Sequence, residues 1–303
     1  MKINVIFFII APVLAAQNAA DALPFAPGAD EQGRYFTANV MPAKGVVLLA
    51  HGLNVRPAKM GDAETDGTLA KLFLDAGYHV YRVELQGHNG ALAGMQNVKA
   101  DDWLADALLQ YRSAAHIAED AELPLYLAAF SLGALVYENL MLTRDDVTFA
   151  AAVLFAPAIA IKPAARALLF TDIFLADTAI IDSRAPPEYR AQKGASLGAY
   201  KALFELEDSF HTVLNTRRGA KNAGIERHVP TLIFIDPEDE FISFPALKKQ
   251  IAGLTDWNIS AISNAGAAIK PARHHLIIDS GCVSPLTWQL MSEAALRFLK
   301  RQK

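Results

Sequence analysis

The chain has 303 residues, 52% hydrophobic and 20% charged, with a formal net charge of -4. That size holds one large α/β domain with a sizeable core, or two small domains, and the composition argues against an intrinsically disordered chain. No basic stripe is present and the isoelectric point is near 6.1, which argues against a nucleic-acid partner.

The first residues differ from the rest. Lys2, an apolar run over 3–16 broken by Pro12, and small or polar residues through Ala22 describe a secretory signal peptide over 1–22. The run is shorter than the roughly 20 residues that a membrane-spanning helix needs; an uncleaved anchor or a buried first strand is the alternative. No cysteine lies there, which excludes a lipoprotein anchor on this segment. The single cysteine, Cys282, leaves no intrachain disulfide and reads as a small, partly buried filler near the C-terminal helix. These features point to an exported protein, of a bacterial periplasm or secreted, with 23–303 as the folded domain.

From residue 45 onward, strand-like and helix-like stretches alternate, as in a mostly parallel sheet flanked by helices. Residues 45–50 form a continuous apolar run, the mark of a strand buried on both faces. A helix is expected over 68–76, a strand over 79–83, and an amphipathic helix over 101–118 carrying Trp103, Leu104, Ala107, Leu108 and Tyr111 at helical spacing. Strands follow at 125–130, 149–155, 231–235 and 257–262, with helices at 132–142 and 287–299. Between Pro157 and Pro230 the alternation stops. Some seventy residues with Pro186-Pro187 and several aromatics are too long for a structureless loop. A helical cap is expected at about 158–229, roofing the edge where open α/β sheets bind ligands.

Ser131 follows an expected strand and opens an expected helix, with Ala129 and Gly133 two residues to either side. A serine hydroxyl is a poor nucleophile until a base takes its proton, and a tight strand–turn–helix exposes it well. The competing reading is a helix cap. Downstream, Asp236-Pro237-Glu238-Asp239-Glu240 ends a strand. Asp239, past the turn that Pro237 begins, is the expected partner of a histidine base; Asp236 and Glu240 are the lesser candidates. His274 and His275 lie after the last strand, where one of them can reach back to the serine. Adjacent histidines without an H-x-x-x-H pattern or a cysteine companion make a poor zinc site, so neither metal nor cofactor is expected. His51-Gly52-Leu53 follows the first long strand. Its Leu53 N–H and the Leu132 N–H are the expected oxyanion-hole donors, with His51 fixing the loop.

Together these residues resemble the α/β-hydrolase superfamily, in the branch of monoacylglycerol lipases and lysophospholipase-like enzymes, over roughly 33–301. The likeness rests on His51-Gly52-Leu53, on Glu84-Leu85-Gln86-Gly87-His88-Asn89-Gly90, on Ser131-Leu132-Gly133, and on Asp239 and His274. In that branch the histidine is often followed by x-Leu and by an acid five residues on. His274, Leu276 and Asp279 fit that spacing, which favours His274, with His275 as the alternate base. The departures are Ala129 for the usual glycine, and Glu84 and Gln86 for Asp and Arg. The resemblance implies an α/β-hydrolase fold with a helical cap and hydrolysis of an acyl ester such as a monoglyceride or lysophospholipid through an acyl-enzyme. It also implies transient membrane-surface contact through the cap. An acyltransferase, a haloperoxidase-like use of the same residues, or a non-catalytic binding protein on this fold are the rival readings.

Overall fold

The computed structural model describes residues 34–89, 92–167, 175–219, 229–264 and 274–302; the signal segment expected over 1–22 lies outside them. The centre is a seven-stranded sheet built from β1 (Tyr35–Phe36), β2 (Val46–Ala50), β3 (His79–Arg82), β4 (Leu125–Phe130), β5 (Ala151–Phe155), β8 (Thr231–Ile235) and β9 (Trp257–Ala261). Their order is β1-β3-β2-β4-β5-β8-β9. Only β1, at the edge, runs antiparallel; all other pairs in this sheet are parallel.

The central strands are apolar without alternation because both faces are covered. Val46, Leu48 and Ala50 of β2 join one hydrophobic cluster, whereas Val47 and Leu49 join the other, as the two-residue period of a strand requires. Helices α1 (Leu69–Asp75) and α8 (Pro285–Lys300) cover one face. On the other face lie α2 (Leu92–Gln96), α3 (Ala100–Asp120), α4 (Leu132–Thr143) and α7 (Phe244–Ile251). Helix α7 was not foreseen from the sequence, although Ser243 caps it by accepting the Ala246 N–H and Pro245 lies in its first turn.

The stretch between β5 and β8 differs from the purely helical insertion expected. It contains the short helix α5 (Pro163–Arg166), an antiparallel strand pair β6 (Ile180–Asp182) and β7 (Gly194–Ser196), and the 23-residue helix α6 (Leu197–Gly219). Three-residue strands are too short to show an alternating pattern. Helix α6 lies against α4 and α3. The buried Asn139 amide of α4 donates to Leu206 O at 3.1 Å, and the buried Glu207 carboxylate accepts the Ile161 N–H at 2.6 Å. Among the described residues, no helix is long and apolar enough to cross a membrane.

Candidate active site

Ser131 stands at the turn between β4 and α4 with φ 49° and ψ -110°. This is a backbone conformation that a non-glycine residue adopts at a cost of about 1–3 kcal/mol. The surroundings enforce it. The Ser131 N–H donates to Phe155 O at 3.0 Å, and its carbonyl accepts from Ala158 and Leu135 N–H groups at 3.1 and 3.2 Å. Serine does not act as a side-chain cap on this helix, so the capping role weighed from the sequence does not apply. Ala129 is fully buried within β4, paired with Ala50 and Leu154 on either side. Gly133 does require a glycine. A Cβ there would lie 2.6 Å from His51 O and 2.8 Å from the Ala50 side chain, and its N–H donates to His51 O at 3.0 Å.

The structure brings Ser131, Asp239 and His275 together. His275 Nδ1 lies 2.8 Å from Asp239 Oδ2, and its Nε2 lies 3.0 Å from Ser131 Oγ. A carboxylate only accepts, so Nδ1 carries the hydrogen and the neutral ring's Nε2 accepts from the serine hydroxyl. Phe130 and Phe241 pack their rings 5.0 and 5.1 Å from the imidazole. Asp239 is fully buried. Burial pushes its carboxyl pKa up, but the His275 charge and hydrogen bond, with the Ile242 and Phe241 N–H groups, outweigh it and hold the group below its ordinary value. Both of those N–H groups reach Oδ1, at 2.8 and 2.7 Å.

His274, favoured from the spacing to Leu276 and Asp279, points elsewhere. Its Nδ1 lies 2.8 Å from Asp236 Oδ2, and that hydrogen bond foremost raises its pKa above the usual value. His274 and His275 lie at a bend of the chain with their rings turned to different carboxylates, and an anchor on the main chain holds the pair. Glu240 provides that anchor. Its two carboxylate oxygens accept the backbone N–H groups of His274 and His275 at 3.2 and 2.9 Å. Asp279, the other half of the spacing signal, instead accepts the N–H groups of Gly281 and Cys282, both at 2.8 Å. Glu240 and Asp236, lesser candidates from the sequence, thus hold the histidine loop without touching Ser131.

The His51-Gly52-Leu53 loop packs directly on the elbow. A Cβ at Gly52 would lie 2.6 Å from the Phe130 ring and 3.1 Å from Ser131 Cβ. His51 fixes the loop, as expected: its Nε2 accepts the Leu85 N–H at 3.1 Å and its Nδ1 donates to Gly52 O at 3.0 Å. Wholly buried, the ring is pushed down to about pKa 4 by desolvation. His88 packs 4.5 Å away, centroid to centroid, and desolvation holds it well below its usual value too. Leu53 follows in the turn, and Leu132 is the first residue of α4, a position whose N–H has no partner within the helix. Among the described residues neither N–H is given to a backbone acceptor.

Asp236, Glu238 and His274 have donor atoms within 4.8 Å of one another, a spacing that a metal ion can span. The His274–Asp236 hydrogen bond already occupies the imidazole nitrogen nearest the carboxylate, and Glu238 is largely exposed. Cys282 is fully buried rather than partly so, and burial drives its thiol pKa well above the ordinary value, so it is no nucleophile.

A serine hydroxyl on a strained strand–helix turn of a mostly parallel sheet, with an imidazole and a buried carboxylate in line, fits an α/β-hydrolase fold. The profile of the family Hydrolase_4, described as serine aminopeptidase, S33, matches residues 41–201; the chain belongs to that family. Among curated proteins, no sequence matches it significantly. Several solved structures share the fold. One is a structure of the metagenome-derived lipolytic enzymes LipS and LipT, at 21% identity and TM-score 0.62, covering 92% of this chain and 100% of that one. A soluble variant of monoglyceride lipase from Saccharomyces cerevisiae, in complex with a substrate analogue, aligns at 12% identity and TM-score 0.65, over 89% and 91%. The monoacylglycerol lipase of Paleococcus ferrophilus aligns at 17% and 0.57, over 89% and 98%.

Proposed function

We propose that the protein is a serine ester hydrolase that works through an acyl-enzyme. The observation that carries the reading is the continuous hydrogen-bonded line from Ser131 Oγ through His275 to Asp239. In the proposed reaction Ser131 Oγ bonds to the carbonyl carbon while its proton passes to His275 Nε2. Leu53 and Leu132 N–H groups receive the charge that develops on the carbonyl oxygen. The tetrahedral species collapses, the C–O bond to the leaving alkoxide breaks, and His275 returns the proton to it. Water, deprotonated by His275, then attacks the acyl carbon and the serine leaves with the proton. His275 takes the base role here rather than His274.

The substrate class proposed is an acyl ester with an apolar chain. Phe241, exposed beside His275, offers an apolar wall at the reacting carbon, and structures sharing the fold include monoglyceride lipases. Export through the segment at 1–22, and contact of the 158–229 insertion with a membrane surface, belong to the same proposal. The test is a series of p-nitrophenyl and glyceryl esters of rising chain length. The wild type is expected to turn them over with a preference for longer acyl groups, and Ser131→Ala to lose about 10⁴-fold or more in kcat. Full activity in Ser131→Ala would refute the reading.

A further inference from the structure

The residues 186–192 run beside the two loops that flank Ser131, and hydrogen bonds tie them to both. At the oxyanion side, Asn54 is buried and has φ 55°. Its side-chain amide engages both polar groups of one residue's backbone: Oδ1 accepts the Gln192 N–H at 2.8 Å and Nδ2 donates to Gln192 O at 3.1 Å. The Asn54 carbonyl accepts the Ala191 N–H at 2.9 Å, and the Arg56 N–H donates to Tyr189 O at 2.8 Å. Val55 and Arg190 form an antiparallel bridge between them. At the histidine side, the buried Tyr189 hydroxyl donates to Asp279 Oδ1 at 3.0 Å. That same oxygen holds the Gly281 and Cys282 N–H groups, in the turn that follows His275.

We infer that 186–192 is a brace between the oxyanion loop and the histidine loop, and that Asn54 is the positioning residue at its oxyanion end. The inference rests on the ester-hydrolase reading. Asparagine suits the position on two counts. It tolerates a positive φ better than most residues, and its amide supplies one donor and one acceptor side by side. Aspartate lacks the donor, and glycine keeps the backbone but loses both bonds. Asn54 touches no reacting atom; it acts by fixing the turn that carries the Leu53 N–H. A donor displaced from the oxyanion weakens the transition state and leaves ground-state binding nearly unchanged.

The test compares wild type, Asn54→Gly and Asn54→Asp with p-nitrophenyl butyrate and an alkyl trifluoromethyl ketone. The ketone adds Ser131 Oγ at its carbonyl, the serine proton moving to His275, and so mimics the tetrahedral species. For Asn54→Gly, kcat is expected to fall by about 10- to 100-fold, less than the roughly 100- to 1,000-fold loss when a donor is removed outright, because the Leu53 N–H is displaced and not deleted. KM should stay within about twofold, and the ketone's inhibition constant should rise in step with the fall in kcat/KM. Titration with a fluorophosphonate counts the folded active sites in each sample. A kcat within about twofold of wild type per titrated site overturns the inference, as does a KM that rises in proportion while kcat holds. Should Asn54→Gly fail to fold, Asn54→Asp is read by the same criteria. A wild type that neither hydrolyses esters nor reacts with the fluorophosphonate overturns the hydrolase reading itself. An active wild type with indifferent Asn54 variants overturns the brace alone.

Discussion

Replacing His275 with alanine is expected to lower kcat for ester hydrolysis by about 10⁴-fold, whereas His274→Ala stays within about tenfold of wild type. The two side chains are neighbours in sequence and each lies 2.8 Å from a carboxylate, but only His275 reaches Ser131 Oγ. Removing it takes away the only side chain within hydrogen-bond reach of the hydroxyl among the described residues and leaves the buried Asp239 Oδ2 without its imidazole partner. Removing His274 leaves Asp236 still accepting N–H groups from Glu238 and Asn264, at 2.9 and 2.8 Å. Its loss therefore disturbs the loop without stranding a charge. Steady-state rates of both variants, with circular dichroism to establish folding, check the pair. Equal losses, or the larger loss in His274→Ala, would return the base role to His274.

The second large effect is on acid stability. His51 is wholly buried and neutral in the fold, with its pKa lowered by desolvation from 6.5 to about 4. In the unfolded chain it takes up a proton as pH falls through 6.5; in the folded protein it does so only near 4. Over that window the unfolded state binds more protons, so stability is complete above about pH 6.5 and declines towards pH 4, by roughly 3 kcal/mol from this residue. His88, lowered in the same way, acts in the same direction. His274 has a raised value, so its contribution is complete below the ordinary histidine range and is lost as pH rises through the raised value. Urea midpoints measured from pH 7.5 to 4.5 should therefore fall steeply with acid, and the slope should flatten in His51→Gln. A midpoint independent of pH over this range would contradict the account.

Ser131 was legible because its signal is local: an apolar strand, a serine, a glycine and a helix follow one another in sequence, and the sheet needs nothing further to place them. The His51-Gly52-Leu53 loop was legible for the same reason, as was Asp239, which lies beyond a proline turn at a strand's end. The choice between His274 and His275 was not local. It is set by the folded loop, whose backbone Glu240, 35 residues upstream of His275, holds at both residues, and no spacing pattern records a hydrogen bond to the main chain. The likeness to Leu276 and Asp279 misled because Asp279 holds its own turn and Tyr189. Within the insertion, the aromatic-rich stretch that became α6 carried a helical signal. Strands β6 and β7 carried none, since three residues each, one of them containing Gly194, show no period. Asn54 was overlooked although an asparagine just past a glycine turn is a residue suited to a positive φ.

The most direct test of the central claim is the site of covalent modification. Wild-type protein treated with a fluorophosphonate, then digested and analysed by mass spectrometry, should carry one adduct, on Ser131. The rate of labelling should fall sharply in His275→Ala and little in His274→Ala. An adduct on another residue, or no reaction in protein shown to be folded, would contradict the assignment of Ser131 as a nucleophile activated by His275.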